Sequence, residues 1–355
     1  MRAVLDGYNA STMKATRNLR RPRVLIVGCG DVGMRCAELL RPRAHLFALT
    51  TQPARCAELR AAGVTPIVGD LDARRSLKRL AGLAPRVLHL APPQKTGDDD
   101  SRTRALLAAL SARRIRPARS AVAPVARLRR LRAAWMERET ADIVPDGVGH
   151  PAGSRPPVRM VYASTTGVYG DCGGALIDET RAVRPANPRA LRRVSAERQL
   201  RRATARGAVQ ASIARIPGIY AGNRLPLARL EKGAPALIDA DDVYTSHIHA
   251  DDLAAILVRM MRFGRRGRVV HASDDTMLKM GEYFDVVADA YGLERPPRIT
   301  REQAEAQMEP MMMSFMRESR RLVNERIKRE LRVRLRYPTV ADFLRSAQGD
   351  AEASG

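Results

Sequence analysis

Aromatic residues make up only 4% of this 355-residue chain, with a single tryptophan, and lysine is almost absent: six lysines stand beside fifty-six arginines. The four cysteines, Cys29, Cys36, Cys56 and Cys172, form no CxxC pair and no His-flanked spacing. That argues against a disulfide framework and against a zinc site, so no metal is expected. No apolar run reaches the eighteen or so residues that span a bilayer, and the start of the chain lacks the apolar core of a secretory signal. A cytoplasmic protein without membrane partners is the expectation. The scarcity of aromatics also removes RNP-type RNA-binding motifs, and neither a zinc finger nor a basic zipper is present.

The formal charge of +24 is the first thing the chain has in excess. Clustered cations bind polyanions by releasing counterions. Here arginine is spread over nearly every segment, which fits a compositional drift towards arginine and argues against a nucleic-acid partner. With 45% hydrophobic residues and this length, the chain can bury the core of one large or two closely joined α/β domains.

Residues 1–22 are polar, basic and aperiodic, and read as a disordered lead-in. From Arg23 the text becomes strand ("RVLIV"), glycine turn and helix. Strands "AHLFALT", "VTPIV" and "RVLHL" follow, with a helical segment, "PARCAELRAAG", between the first two of these. A helix from Ser101 to Ala112 and a strand "VRMVYAS" continue the alternation, which specifies a doubly wound parallel sheet. Residues 113–157, with ten arginines against four acids, interrupt it as an Arg/Pro-rich insertion. After a helix near Ala190–Arg206 and a strand "VQASIARI", residues 217–345 read as a smaller substrate lobe. It carries a helix "ADDLAAILVRMM" capped by Asp251 or Asp252, a strand "RVVHAS" and a helix "MGEYFDVVADAYG". Residues 346–355 read as a disordered tail. The nucleotide-binding part is thus 23–216.

"GCGDVG" places Gly28, Gly30 and Gly33 as G-x-G-x-x-G directly between strand and helix. In that context Gly28 serves the tight turn, Gly30 lets the backbone approach a diphosphate and Gly33 lets helix and strand pack. Asp31 and Val32 open the helix whose amides and dipole face the diphosphate. NAD sites end the second strand with a carboxylate. Here that end reads "ALTTQPAR", with Thr50 and Thr51, and Arg55 nearby suits a 2′-phosphate, so NADP is preferred slightly over NAD. Asp70 and Leu71 of "GDLD" are placed at the adenine edge, and Ala91 and Pro92 after the fourth strand.

Taken with "YASTTGVYGD" and the following "DET", "SAERQL", "RIPGIYAGNRLP" and "SHIHADDLA", these motifs resemble the extended short-chain dehydrogenase/reductases, the NAD-dependent epimerase/dehydratase superfamily. The match runs from about Arg23 to past Leu253 and continues weakly through "VVHASDD" and "RYPTVADFL". The resemblance implies a Rossmann-type domain binding NAD or NADP, with Pro217 at its far end, and a small C-terminal lobe over a small-molecule substrate. It also implies a hydroxyl on the reacting oxygen, Thr165, with Ser164 as the fallback. The family's tyrosine and lysine fall on Arg189 and Arg193, neither of which moves a proton at neutral pH. Arg193 retains the cation's duty towards the ribose and nicotinamide.

A replacement proton carrier would come from Tyr162, Tyr169, Tyr220, His247 or His249, with Tyr169 ranked first. The lost pair resembles the atypical branch of the superfamily. The expected activity is an NAD(P)-dependent oxidoreductase or epimerase acting on a small polar, sugar-like hydroxyl or carbonyl compound. The rival is a non-catalytic NAD(P)-responsive binding protein. A homodimer is expected by analogy alone.

Overall fold

The structure is a computed structural model that describes residues 21–111, 156–308, 313 and 316–352. The lead-in before residue 21 and all of the insertion up to residue 155 lie outside the described residues.

The alternating strands assemble one seven-stranded parallel sheet. Its members are β1 (Arg23–Val27), β2 (His45–Thr50), β3 (Val64–Val68), β4 (Arg86–His89), β5 (Val158–Thr165) and β6 (Val209–Ile216), followed by β7 (Gly218–Tyr220) and β8 (His247–His249), which pair with each other outside the sheet. A ninth strand, β9 (Val269–His271), completes the sheet, in the order β9-β6-β5-β4-β1-β2-β3. This is the doubly wound order, in which the sequence of strand addition reverses between β1 and β4, and ligands of such sheets bind outside the strand ends at that point.

Burial on both faces explains the near-continuous apolar runs. Val24 and Ile26 of β1 enter one core, and Leu25 and Val27 enter the other. The helices are α1 (Asp31–Leu40), α2 (Cys56–Ala61), α3 (Ser101–Ser111), α4 (Pro188–Ala205), α5 (Leu227–Glu231), α6 (Ala250–Phe263) and α7 (Met280–Tyr291), with α8 (Arg301–Gln307), α9 (Glu325–Arg329) and α10 (Val340–Glu352) after them. The first core lies under α1 and α6, and the second under α3 and α4.

Three expectations about the C-terminal part are corrected. Helix α6 and strand β9, expected in the small lobe, belong to the nucleotide-binding domain: α6 packs its apolar face on α1, and β9 hydrogen-bonds along β6. The lobe proper is built from α5, α7, α8, α10 and short strand pairs such as Ala236–Leu237 with Arg298–Ile299. Neither aspartate caps α6. His249 does, its ring accepting from the Asp251 amide at 3.2 Å, while both Asp252 oxygens accept from the Arg336 and Tyr337 amides and tie the chain before α10 to α6. Finally, residues 346–352 continue α10 instead of forming a disordered tail, because Val340, Phe343 and Leu344 anchor the helix in the lobe core.

Candidate active site

At the reversal point lies a crevice of about 420 Å³ lined by Val27, Gly28, Gly30, Thr50, Asp70 and Ala91, among others. Gly28 has φ +89, and a Cβ there would stand 2.4 Å from the Ala91 amide nitrogen. Only glycine lets β1 turn this close to the end of β4. A Cβ on Gly33 would meet the Gly28 carbonyl at 3.0 Å, so Gly33 serves helix packing against the turn. Nothing lies within 4 Å of the place where a Gly30 Cβ would be, and the first amides of α1 follow directly. Open ground before a helix N-terminus is what a diphosphate requires. The donor set therefore fits the dinucleotide that the motif implies.

Among the other expected cofactor residues, Thr50, Arg55, Asp70, Leu71, Ala91 and Pro92 all line the crevice. Thr50 is 8% exposed and its hydroxyl accepts from the Gln52 amide at 3.1 Å, whereas Thr51 stands free at the surface. Each nitrogen of the Arg55 guanidinium makes one bond: two reach Glu58 at 2.7 and 3.0 Å and the third donates to the Cys29 carbonyl at 2.8 Å. One Asp70 oxygen accepts from the Asp72 amide. Val32 is half-buried against the first core, and Pro217 follows β6, whose last residue, Ile216, pairs with Thr165.

Sequence reasoning missed Arg102, which lines the crevice while it holds Asp72 with two nitrogens and the Pro92 carbonyl at 3.2 Å. One arginine among fifty-six carries no sequence signal of its own. Also missed was Arg224, which reaches from the segment after β7 to Asp31 at 3.1 Å.

The second cluster sits at the ends of β5 and α4. Thr165 terminates β5 and its hydroxyl accepts a long bond, 3.3 Å, from the Gly167 amide, leaving its proton to donate elsewhere. Arg193 donates to the Ala163 carbonyl at 2.6 Å and to the Tyr162 hydroxyl at 3.0 Å, which fixes its guanidinium two residues from Thr165 along β5. Glu318, another residue the sequence did not single out, stands beside Gly167, accepting from the Asn187 amide group at 3.3 Å and from Arg320 at 2.8 Å.

Ser164 does not share this position. Its hydroxyl donates to Glu197 at 2.7 Å inside a buried network. Arg215 holds both Glu197 oxygens, at 3.1 and 2.7 Å, and donates to the Tyr169 hydroxyl at 2.7 Å. The same hydroxyl meets His271 Nε2 at 2.5 Å.

Tyr169, ranked first as proton carrier, is therefore corrected: it is 1% exposed, and burial pushes its pKa up to about 12. Tyr162 is sealed likewise, pushed up to about 12 by burial. Tyr220, His247 and His249 are buried at the join of lobe and sheet, and burial pushes both histidines down to about 4. Tyr169 was ranked first for its closeness to Thr165 in sequence, but the single helical turn Thr166–Tyr169 that follows β5 carries its ring into the core beside Val168 and Ile177.

Residues 24–144 match the TrkA-N domain family, a Rossmann NAD-binding domain. A functionally unknown conserved protein from Silicibacter pomeroyi is similar over 93% of this chain and 99% of its own, at 26% identity and TM-score 0.66. The dTDP-glucose 4,6-dehydratase of Streptomyces venezuelae, solved with NAD bound, is similar at 18% identity and TM-score 0.64, over 93% of this chain and 98% of its own. The UDP-N-acetylglucosamine 4-epimerase of Bacillus cereus is similar at 13% identity and TM-score 0.59, over 92% of this chain and 100% of its own. No curated protein matches this chain. The chain thus has the Rossmann-type fold of the NAD-dependent epimerase/dehydratase proteins, nearly end to end, as the motifs led one to expect.

Proposed function

We propose that the protein is an NAD(P)-dependent oxidoreductase or epimerase acting on a small polar, sugar-like hydroxyl or carbonyl compound. The observation that carries this reading is the Gly28 turn. Its left-handed backbone presses against Ala91 and leaves open ground at Gly30, in front of the α1 amides. Gly28, Gly30, Asp31, Val32 and Gly33 hold the diphosphate, Asp70 and Leu71 the adenine end, and Arg193 the ribose beside the nicotinamide. When bound, the nicotinamide supplies a hydride donor or acceptor.

The chain's own groups do the rest. The Thr165 hydroxyl donates to the reacting oxygen, and the Arg193 cation, anchored on Ala163, favours negative charge developing there. With Tyr162 and Tyr169 sealed, the proton gained or lost by that oxygen passes through the Thr165 hydroxyl to water. Loss of a pKa-tuned phenol predicts slow turnover, since a positioned acid or base contributes roughly 10²- to 10⁴-fold. The slight preference for NADP is weakened by Glu58, which already compensates Arg55.

The test is titration of NAD(H) and NADP(H) by calorimetry, followed by a panel of neutral and charged carbonyl compounds and alcohols. Saturable binding with slow, Thr165-dependent turnover is the expected result. Joint Arg189→Tyr and Arg193→Lys substitution should raise the rate on neutral compounds. Nucleotide binding without turnover of any compound, in the parent and in the double variant alike, would support the non-catalytic rival and remove the enzymatic reading.

A further inference from the structure

We infer that the substrate of this site carries an anionic group, a carboxylate or a phosphate, and that the guanidinium of Arg189 receives it. The inference rests on the NAD(P)-dependent reading above and adds a substrate class to it.

Arg189, Arg192 and Arg193 occupy the first two turns of α4. Arg192 is buried and donates to the Gly97 carbonyl at 2.7 Å, tethering the loop after β4. Arg193 is anchored at the end of β5. Arg189, four residues before Arg193 and so on the same helix face, makes no hydrogen bond or ion pair with any described residue. The three charges nevertheless act on one another. Arg189 is exposed at the surface, yet its pKa lies below the usual guanidinium value, first through partial desolvation and then through Arg193 and Arg192.

Four described carboxylates around this end of the helix are already committed. Glu197 holds Arg215 and Ser164; Glu318 holds Arg320 and Asn187. Asp99 meets Arg104, Ser195 and Gln199, and Asp100 binds the Thr103 amide and hydroxyl. Among the described residues, three guanidiniums are thus gathered without a counter-charge of their own, and two buried nitrogens, Nε of Arg192 and Nε of Arg193, have no acceptor. Repulsion of this kind is relieved by an anion, and the planar fork of arginine matches a carboxylate or phosphate with two parallel hydrogen bonds. An arginine at a position where the related fold keeps a proton carrier cannot carry the proton. It can hold an anionic group of the substrate instead.

The experiment uses the full chain saturated with reduced nucleotide and three matched substrates: a neutral sugar carbonyl compound, its sugar-acid counterpart and its sugar-phosphate counterpart. The charged compounds should show KM values at least about tenfold below the neutral one. Arg189→Gln should raise KM about tenfold for whichever charged compound is used, with kcat little changed and the neutral KM unmoved; Arg189→Lys should restore part of the loss. The carboxylate and phosphate arms separate the two sources of charge.

A readout free of turnover is inorganic phosphate titrated against the fluorescence of the bound reduced nucleotide. Saturation should be lost in Arg189→Gln and kept in Arg198→Gln, a substitution of an exposed arginine on the same helix. If Arg189→Gln changes charged and neutral substrates equally and leaves the phosphate titration intact, the inference is overturned while the oxidoreductase reading stands. If nothing is turned over yet phosphate saturates only with Arg189 present, the anion site stands and the oxidoreductase reading falls.

Discussion

The crevice at β1 and α1 and the start of α4 lie along the same sheet edge, but one is built from backbone and the other from side chains. At the crevice, the proposed ligand contact depends on a positive φ at Gly28, an uncovered Gly30 and helix amides, and these need the absence of side chains. At α4 the proposed contact groups are Arg189 and Arg193, carried on a helix whose path is set by other residues, such as the Asn187 cap and buried Ala190, Val194 and Leu200. A backbone-built site leaves substitution almost no room. A side-chain-built site can change its chemistry while the fold stays as it was.

The largest effect is expected where the backbone is the site. Gly28→Ala places a Cβ 2.4 Å from the Ala91 nitrogen at a φ that disfavours any side chain. Nucleotide affinity should fall at least about a hundredfold, with a lowered Tm, measured by calorimetry and thermal melts. If Gly28→Ala binds nucleotide normally, the contrast between the two regions collapses.

Next comes the floor beneath the side-chain site. Glu197→Ala leaves Arg215, 3% exposed, without its ion pair, and should cost about 3–5 kcal/mol in denaturant unfolding. Ser164→Ala, which removes one hydrogen bond from the same carboxylate, should cost about 1 kcal/mol. A reversed order would show that the network does not support β5 as described.

A third region sharpens the comparison because its chemistry is titratable. Burial raises the Asp274 carboxyl from 3.8 to about 7, beside Tyr220. The folded protein keeps a proton there that the unfolded chain releases, so this contribution to stability is full below about pH 4 and is lost as pH rises towards 7. Asp274→Asn should therefore gain stability over the parent at pH 8 relative to pH 4, by about 1–3 kcal/mol, in paired denaturant titrations. Equal differences at the two pH values would refute the assignment.

The smallest effect is expected at Arg55. With Glu58 already pairing it, Arg55→Ala should change the NADP(H) to NAD(H) affinity ratio by less than about threefold. A tenfold or larger fall would show that Arg55 breaks from Glu58 to bind a 2′-phosphate.

Much of the fold was legible because parallel strands buried on both faces and a glycine turn leave local marks: "RVLIVGCGDVG" names a strand, a turn and a helix at once. The membership of α6 and β9 was not, since their apolar patterns say that they are buried but not against which sheet. The site was legible where it is backbone, at Gly28, Gly30 and Gly33. It was misread at Tyr169, because the helical turn Thr166–Tyr169 after Thr165 rotates the ring into a buried cluster where Arg215 and His271 hold its hydroxyl.

By itself the sequence determined that a glycine turn of G-x-G-x-x-G spacing opens a parallel sheet and that positions 189 and 193 are arginines. Those are matters of residue identity at known spacing. Only the tertiary structure decided which arginines are free and which are spent, that Arg193 holds Ala163 and Arg55 holds Glu58, and that every candidate phenol is sealed. The reason is physical: a charge or a hydroxyl is defined by what lies opposite it, and partners separated by a hundred residues or more meet only when the sheet is assembled.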